Sequence, residues 1–221
     1  MCGRYTYTRK PDPARAVLPP DEPGFEPAPR YNLAPSQRAP VIPADDPGHI
    51  HFYRWGLIPH WAKDAKIGYS LINARAETAA DKPAFRRPFQ SGRCLALADS
   101  FYEWKAEGRH KQPYRILLRS GEPFYMAALC DAWRSPEGRI LHSFTILTTE
   151  PNGLMASLHD RMPVILGSDA ARRWLRPETP AEELHSLLRP FPEELMQAYP
   201  VSAEVGNVRN DHPGLIQPLN P

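Results

Sequence analysis

A cysteine directly follows the first methionine, in Met1-Cys2-Gly3-Arg4-Tyr5. Methionine is readily trimmed ahead of a small residue, which leaves Cys2 with a free α-amine and a thiol on one residue. Such a 1,2-aminothiol has a chemistry closed to internal cysteines. The amine condenses with an aldehyde to an imine, and the thiol closes onto the imine carbon as a thiazolidine. With an α-amine pKa of about 7.7–8.0 and a thiol pKa of about 8.5, both groups supply nucleophile near neutral pH. Taken alone, Cys2 reads more simply as a small buried residue of a first strand.

Three further segments set polar side chains among apolar ones: Leu71-Ile72-Asn73-Ala74-Arg75-Ala76-Glu77, Phe101-Tyr102-Glu103-Trp104 and Leu158-His159-Asp160-Arg161-Met162-Pro163. Polar groups in such surroundings are either paired structural groups or perturbed functional ones. Together with Cys2 they supply a thiol and an amine, an amide, a carboxylate, an imidazole and the arginines Arg4, Arg75 and Arg161. That set suits aldehyde chemistry on a phosphate-bearing substrate.

The elements that must position these groups read as mainly β. Residues 2–8, 49–55, 93–98, 101–105, 114–119, 124–133 and 141–149 are short and rich in β-branched or aromatic residues, with turn signals between them. The short connections predict antiparallel pairing. Helices are expected later: Ser168–Leu175, capped by its serine or aspartate and stopped before Pro177; residues 179–188, with a Thr179/Glu182 capping box; and a helical turn over 152–158 leading into His159. Proline is frequent, 27 of 221 residues against a usual share of about 5%, and the stretch from Pro11 to Pro47 reads as irregular packing. The fold class expected is α+β, one domain over residues 1–221. Its sheet core is mainly antiparallel and partly barrel-like, with peripheral helices.

The chain carries a formal charge of only +2, unevenly placed. Residues 54–115 hold twelve lysines and arginines against six acids, whereas residues 169–204 hold four against seven. An anionic partner fits the basic middle. No apolar run approaches the roughly 18 residues that span a bilayer, and no secretory signal opens the chain. Cys2, Cys94 and Cys130 form no CxxC spacing, so a reducing, cytoplasmic setting is expected, without a disulfide framework.

Read together, Met1-Cys2-Gly3-Arg4, Arg30-Tyr31-Asn32-Leu33-Ala34-Pro35, Trp55-Gly56-Leu57-Ile58-Pro59-His60-Trp61, Ile72-Asn73-Ala74-Arg75-Ala76-Glu77, Phe101-Tyr102-Glu103-Trp104 and His159-Asp160-Arg161-Met162-Pro163 resemble the SOS-response-associated peptidase family, also called abasic-site processing proteins. The motifs keep the family's order from Cys2 to Asn210-Asp211-His212-Pro213-Gly214-Leu215-Ile216. The resemblance implies capture of abasic sites in single-stranded DNA as a covalent crosslink, with nucleoid association when bound. It makes Cys2 the nucleophile and places Asn73, Glu103 and His159 around it.

Within that frame Glu103, desolvated between Tyr102 and Trp104, protonates the sugar ring oxygen. His159 shuttles protons near neutral pH, and Asn73 orients the cysteine backbone or a sugar hydroxyl. Arg4, Arg75 and Arg161 are expected on phosphate, Arg86 and Arg87 either add backbone contacts or are merely solvated, and Trp61 and Phe89 are candidate stacking surfaces. No cofactor, no metal, no membrane contact and a monomeric state are expected. His49-Ile50-His51 puts two imidazoles on one strand face but signals no third ligand. Two rival readings stand beside this one: a thiol peptidase, whose activity could be confined to removing Met1 in cis, and a non-catalytic reader of modified DNA.

Overall fold

The computed structural model describes residues 3–9, 28–108 and 110–219. In chain order its elements are β1 (Tyr5–Tyr7), β2 (Arg30–Leu33), β3 (Arg38–Pro43), β4 (His51–Trp55), β5 (Asn73–Arg75), α1 (Arg86–Ser91), β6 (Arg93–Ala98), β7 (Ser100–Glu107), β8 (His110–Leu118), β9 (Phe124–Arg134), β10 (Ile140–Thr149), α2 (Gly153–Ala156), β11 (Met162–Pro163), β12 (Ile165–Leu166), α3 (Ser168–Leu175), α4 (Ala181–Leu187) and β13 (Met196–Pro200). Several 3-10 turns connect them.

Five strands close on themselves in the order β10-β4-β3-β6-β9 and back to β10. Closure removes the unpaired edges that an open sheet would present. Strand β6 is buried along its whole length, which explains its unbroken Arg93-Cys94-Leu95-Ala96-Leu97-Ala98 run without polar alternation. Its outer face is covered by α3, where Trp174 donates from Nε1 to the Cys94 carbonyl at 3.0 Å. A second, open sheet of order β13-β8-β7-β1-β2 is antiparallel throughout. One continuous apolar core joins the two sheets, with Tyr5 of the open sheet set edge-on to Trp55 of the ring at 5.0 Å. The molecule is α+β with a barrel-like core and peripheral helices. Among the described residues no helix is long and apolar enough to cross a membrane.

The core is mainly antiparallel, as expected, and three other expectations need correction. The parallel pairs are those of β4 and β5 with β10. Short connections disfavour parallel pairs only between chain neighbours, and these strands lie far apart in sequence. The proline-rich stretch up to Pro47 is not irregular throughout, because it holds β2 and β3; its residues 11–27 lie outside the described residues. Pro40 and Pro43 fit a strand because each sits where β3 has one neighbour. Pairing to β6 begins only at Val41, and pairing to β4 ends there, so neither position needs two-sided bonding.

The helix α3 has the expected bounds, but Gly167 occupies its N-cap and no side chain caps it. The helix α4 starts at Ala181 with Pro180 as N-cap. Thr179 does not cap it, since its hydroxyl donates to the Arg173 carbonyl at 2.6 Å and closes the last turn of α3.

Candidate active site

Cys2 lies outside the described residues, so the site is built from what flanks it. The chain reaches β1 alongside β7: Tyr5 pairs with Phe101, and the Tyr102 N–H donates to the Arg4 carbonyl at 2.9 Å. Alternation along β7 then sorts its side chains. Tyr102 belongs to a small apolar cluster with Val201, Val205 and Leu215, with Trp104 packed against it, whereas Phe101 joins the main core. Glu103 shares the Phe101 face, which explains why a carboxylate is only 2% exposed. Burial pushes its carboxyl up to about 7, and the nearby charge of Asp160 acts in the same direction.

The first strand is held by a buried amide. Asn32 is fully buried on β2, and its Nδ2 donates to the carbonyls of Val205, Asn207 and Asn210 at 3.2, 3.1 and 2.8 Å. Its Oδ1 accepts from the Arg4 guanidinium at 2.9 Å. Arg4 donates as well to the carbonyls of Val205 and Gly206, at 2.5 and 3.1 Å, and its guanidinium lies 5.9 Å from the Trp104 ring centre. The C-terminal segment is thereby riveted to β2 and to the residue just ahead of β1. Asn32 belongs to the Arg30-Tyr31-Asn32-Leu33-Ala34-Pro35 motif without an expected role of its own, and its one sequence signal is a lone amide between Tyr31 and Leu33.

His159 follows α2, which Asn152 caps by accepting from the Met155 N–H at 2.9 Å. The His159 N–H closes onto the Met155 carbonyl at 2.8 Å. Two neighbours compete for its Nδ1: the Arg161 N–H donates to it at 3.0 Å, and an Asp160 carboxylate oxygen lies 2.8 Å away. The first suits a neutral ring and the second a charged one. Burial lowers the His159 pKa below its ordinary value, with Asp160 opposing, so the neutral ring with its proton on Nε2 is favoured near pH 7.

Strand β10 gathers the remaining groups. Asn73, Ala74 and Arg75 pair with Ile146, Leu147 and Thr148, and Met162 pairs with Thr149. Arg161 donates to the Thr148 carbonyl at 2.6 Å and reaches both carboxylate oxygens of Glu77 at 2.8 Å. That bidentate bond holds the Glu77 carboxyl below its ordinary pKa. Asn73, Arg75, His159 and Arg161 are therefore neighbours around one end of β10. Arg75 points outward, exposed, and makes no side-chain hydrogen bond or ion pair among the described residues. Arg86 is likewise exposed, at the start of α1 on the flank of β6 and β9.

The two aromatic candidates part company. Trp61 is 52% exposed on a pinned loop: Asp131 accepts from the His60 N–H at 2.9 Å, and Trp133 donates to the Ala62 carbonyl at 2.6 Å. Phe89 is core instead. It is 4% exposed, edge-on to Trp174 at 5.8 Å and stacked on His185 at 5.3 Å, so no base can reach it. The two histidines of His49-Ile50-His51 both turn to Asp46, at 2.6 and 2.8 Å.

Comparison with known proteins follows the same outline. A family model described as SOS response associated peptidase (SRAP) matches residues 1–208. The chain is 47% identical to the abasic site processing protein YoqW of Bacillus subtilis, across 98% of this chain and 99% of that one. It is 35% identical to the abasic site processing protein YedK of Escherichia coli, across 99% and 100%. A solved structure of a protein from Bacteroides thetaiotaomicron superposes with a TM-score of 0.79 at 32% identity, covering 85% of this chain and 84% of that one. A match of this extent, on both sequence and fold, makes the chain a member of the SOS response associated peptidase (SRAP) family.

Proposed function

We propose that the chain processes abasic sites in single-stranded DNA and shields them as a covalent thiazolidine through Cys2 once Met1 is removed. The observation that carries this reading is Glu103: a carboxyl 2% exposed and raised to about 7, on the strand bonded to the Arg4 backbone, two residues from Cys2.

An abasic sugar is mostly a closed hemiacetal. Protonated Glu103 gives its proton to the ring oxygen while the C1′ hydroxyl gives up its own proton to solvent, and the ring opens to the C1′ aldehyde. The Cys2 amine adds to C1′, and loss of one water gives the imine. The Cys2 sulfur then adds to the imine carbon while the nitrogen takes a proton, which closes the ring and removes the path to strand cleavage by β-elimination. His159, neutral with a proton on Nε2, serves as the shuttle, and Asn73 orients the nucleophile or a sugar hydroxyl.

Arg75 and Arg86 are the proposed phosphate contacts, and Trp61 the stacking surface. Arg4 and Arg161 already spend donors on the protein, so their first duty is to anchor, and they meet phosphate only with the donors that remain. Because the lesion lacks a base, binding is sequence-independent and weakens as salt rises.

A substitution series tests the reading. The processed chain, incubated with an oligonucleotide bearing an abasic site, leaves a heat-stable conjugate. Cys2→Ala keeps the amine and forms at most a transient imine, and blocking Met1 removal abolishes the conjugate while leaving the thiol. Stable conjugate from either variant overturns the proposal.

A further inference from the structure

We infer that Asp160 is a positioning residue for proton transfer by His159: its carboxylate holds a proton on Nδ1, which frees Nε2 to give and take protons at the reacting sugar. The inference deepens the reading of His159 as the shuttle and rests on it. One ring nitrogen cannot do this alone. A neutral imidazole with its proton on Nε2 releases that proton only as Nδ1 gains another, because the ring does not persist as an anion. Nδ1 therefore needs a neighbour that brings a proton and bonds it.

Asp160 is that neighbour. One of its carboxylate oxygens lies 2.8 Å from Nδ1, and its side chain is 83% exposed where that of His159 is 26% exposed. The carboxylate thus meets the ring on one side and water on the other. A proton passing from water through Asp160 to Nδ1, while Nε2 releases its own, leaves the ring neutral and the charge balanced. With Nδ1–H donating to Asp160, Nε2 is the acceptor for the next proton. The Arg161 N–H, 3.0 Å from the same nitrogen, stabilises the opposite tautomer. Between the two neighbours the ring works in both directions.

The backbone fixes this contact from both sides. The His159 N–H closes onto the Met155 carbonyl at 2.8 Å, and Met162 pairs with Thr149. Arg161 does not compete for the carboxylate, since its guanidinium is spent on Glu77 and on the Thr148 carbonyl. Of the residues gathered at this end of β10, Asn73 does not titrate and Arg75 is exposed. Beyond burial, which favours the neutral ring, the amino-terminal charge opposes a second proton on His159 and Asp160 favours one. The same two charges act on Glu103 in the same opposed senses. A carboxylate on a surface proposed to meet phosphate also repels DNA. Its removal therefore moves binding and chemistry in opposite directions, whereas a DNA contact or a structural prop would move them together.

The test is Asp160→Asn, which removes the charge and keeps the shape. The His159 ring, identified by the resonance lost in His159→Gln, is titrated by NMR in the free chain, and in Asp160→Asn its midpoint should fall to lower pH. Affinity for an oligonucleotide with a tetrahydrofuran spacer, which cannot open to an aldehyde, should hold or tighten. Initial conjugation with a true abasic site should slow about fivefold. The falling limb of its pH profile should move to lower pH, because Glu103 gives up its proton sooner without the Asp160 charge. Asp160→Glu keeps the charge and should recover the midpoint and most of the rate. An unmoved His159 midpoint with native conjugation rates overturns the inference, and so does slower conjugation matched by an equal loss of affinity. Failure of the Cys2 reading shows separately, as absence of conjugate from the native chain while the His159 midpoint still moves with Asp160.

Discussion

The start of β1 and the loop of residues 59–70 are both tightly held, but they treat their cations in opposite ways. At the start of β1, Arg4 is spent inward, on Asn32 and on the carbonyls of Val205 and Gly206. In the loop, Trp61 and Tyr69 stand 52% and 62% exposed, and Arg54 of β4, which lies against the Tyr69 ring, has no acidic partner among the described residues. The difference teaches that an arginine near a reactive residue is not thereby a ligand contact. One region anchors the start of β1, and the other offers a surface.

The strongest test of the inward-facing region is Glu103→Gln. Loss of a general acid typically costs 100- to 10,000-fold, so initial conjugation rates should fall into that range. The pH profile carries the sign. Glu103 donates only while protonated, so native conjugation loses its acid as pH rises through about 7. The Cys2 amine gains nucleophile over the same range, since its ordinary pKa is about 7.7–8.0. The native profile is therefore bell-shaped, and Glu103→Gln should keep the rising limb and lose the falling one. A variant with an unchanged profile removes Glu103 from the reaction.

Next in size is Phe89→Ala, which opens a cavity beside Trp174 and should destabilise the fold by about 3–5 kcal/mol in denaturant titration. DNA affinity per folded molecule should not change; a selective loss of affinity would return Phe89 to the DNA surface. Asn32→Ala removes the amide NH2 that reaches three carbonyls of the C-terminal segment, together with the Arg4 acceptor. It should cost about 2–4 kcal/mol and slow conjugation beyond what the unfolded fraction explains.

The finest discrimination is between arginines. Each phosphate contact to a single strand contributes about 0.7 to the slope of log affinity against log salt. Arg75→Ala should reduce that slope by about this amount, and Arg4→Gln should leave it nearly unchanged. Equal reductions would erase the contrast between the inward-turned Arg4 and an exposed arginine.

Much of this was legible in the chain. The bounds of β6 and α3 follow from an unbroken apolar run and from a helix stopped before Pro177. Glu103 stands out as one carboxylate among aromatics. What sequence withholds is partnership. Closure of the ring depends on β4 running parallel to β10, a pairing between distant segments that no local pattern encodes. Phe89 and Trp61 are both aromatics beside basic or apolar neighbours, and only tertiary packing separates the core ring from the displayed one. Arg161 sits in a motif that reads as chemistry, yet its guanidinium is clasped by Glu77, a contact across 84 residues of chain. Tyr69 carried no signal at all, because a tyrosine beside a glycine in a polar loop is unremarkable until its exposure is known.

The central claim is that nitrogen and sulfur of one terminal residue capture the sugar aldehyde together. Peptide mapping by mass spectrometry of the heat-denatured conjugate tests it most directly. The account predicts a single modified peptide beginning at Cys2, heavier by the sugar-phosphate remnant less one water and resistant to borohydride. A conjugate located on any other residue, or one on Cys2 that borohydride reduces as an open imine, contradicts it.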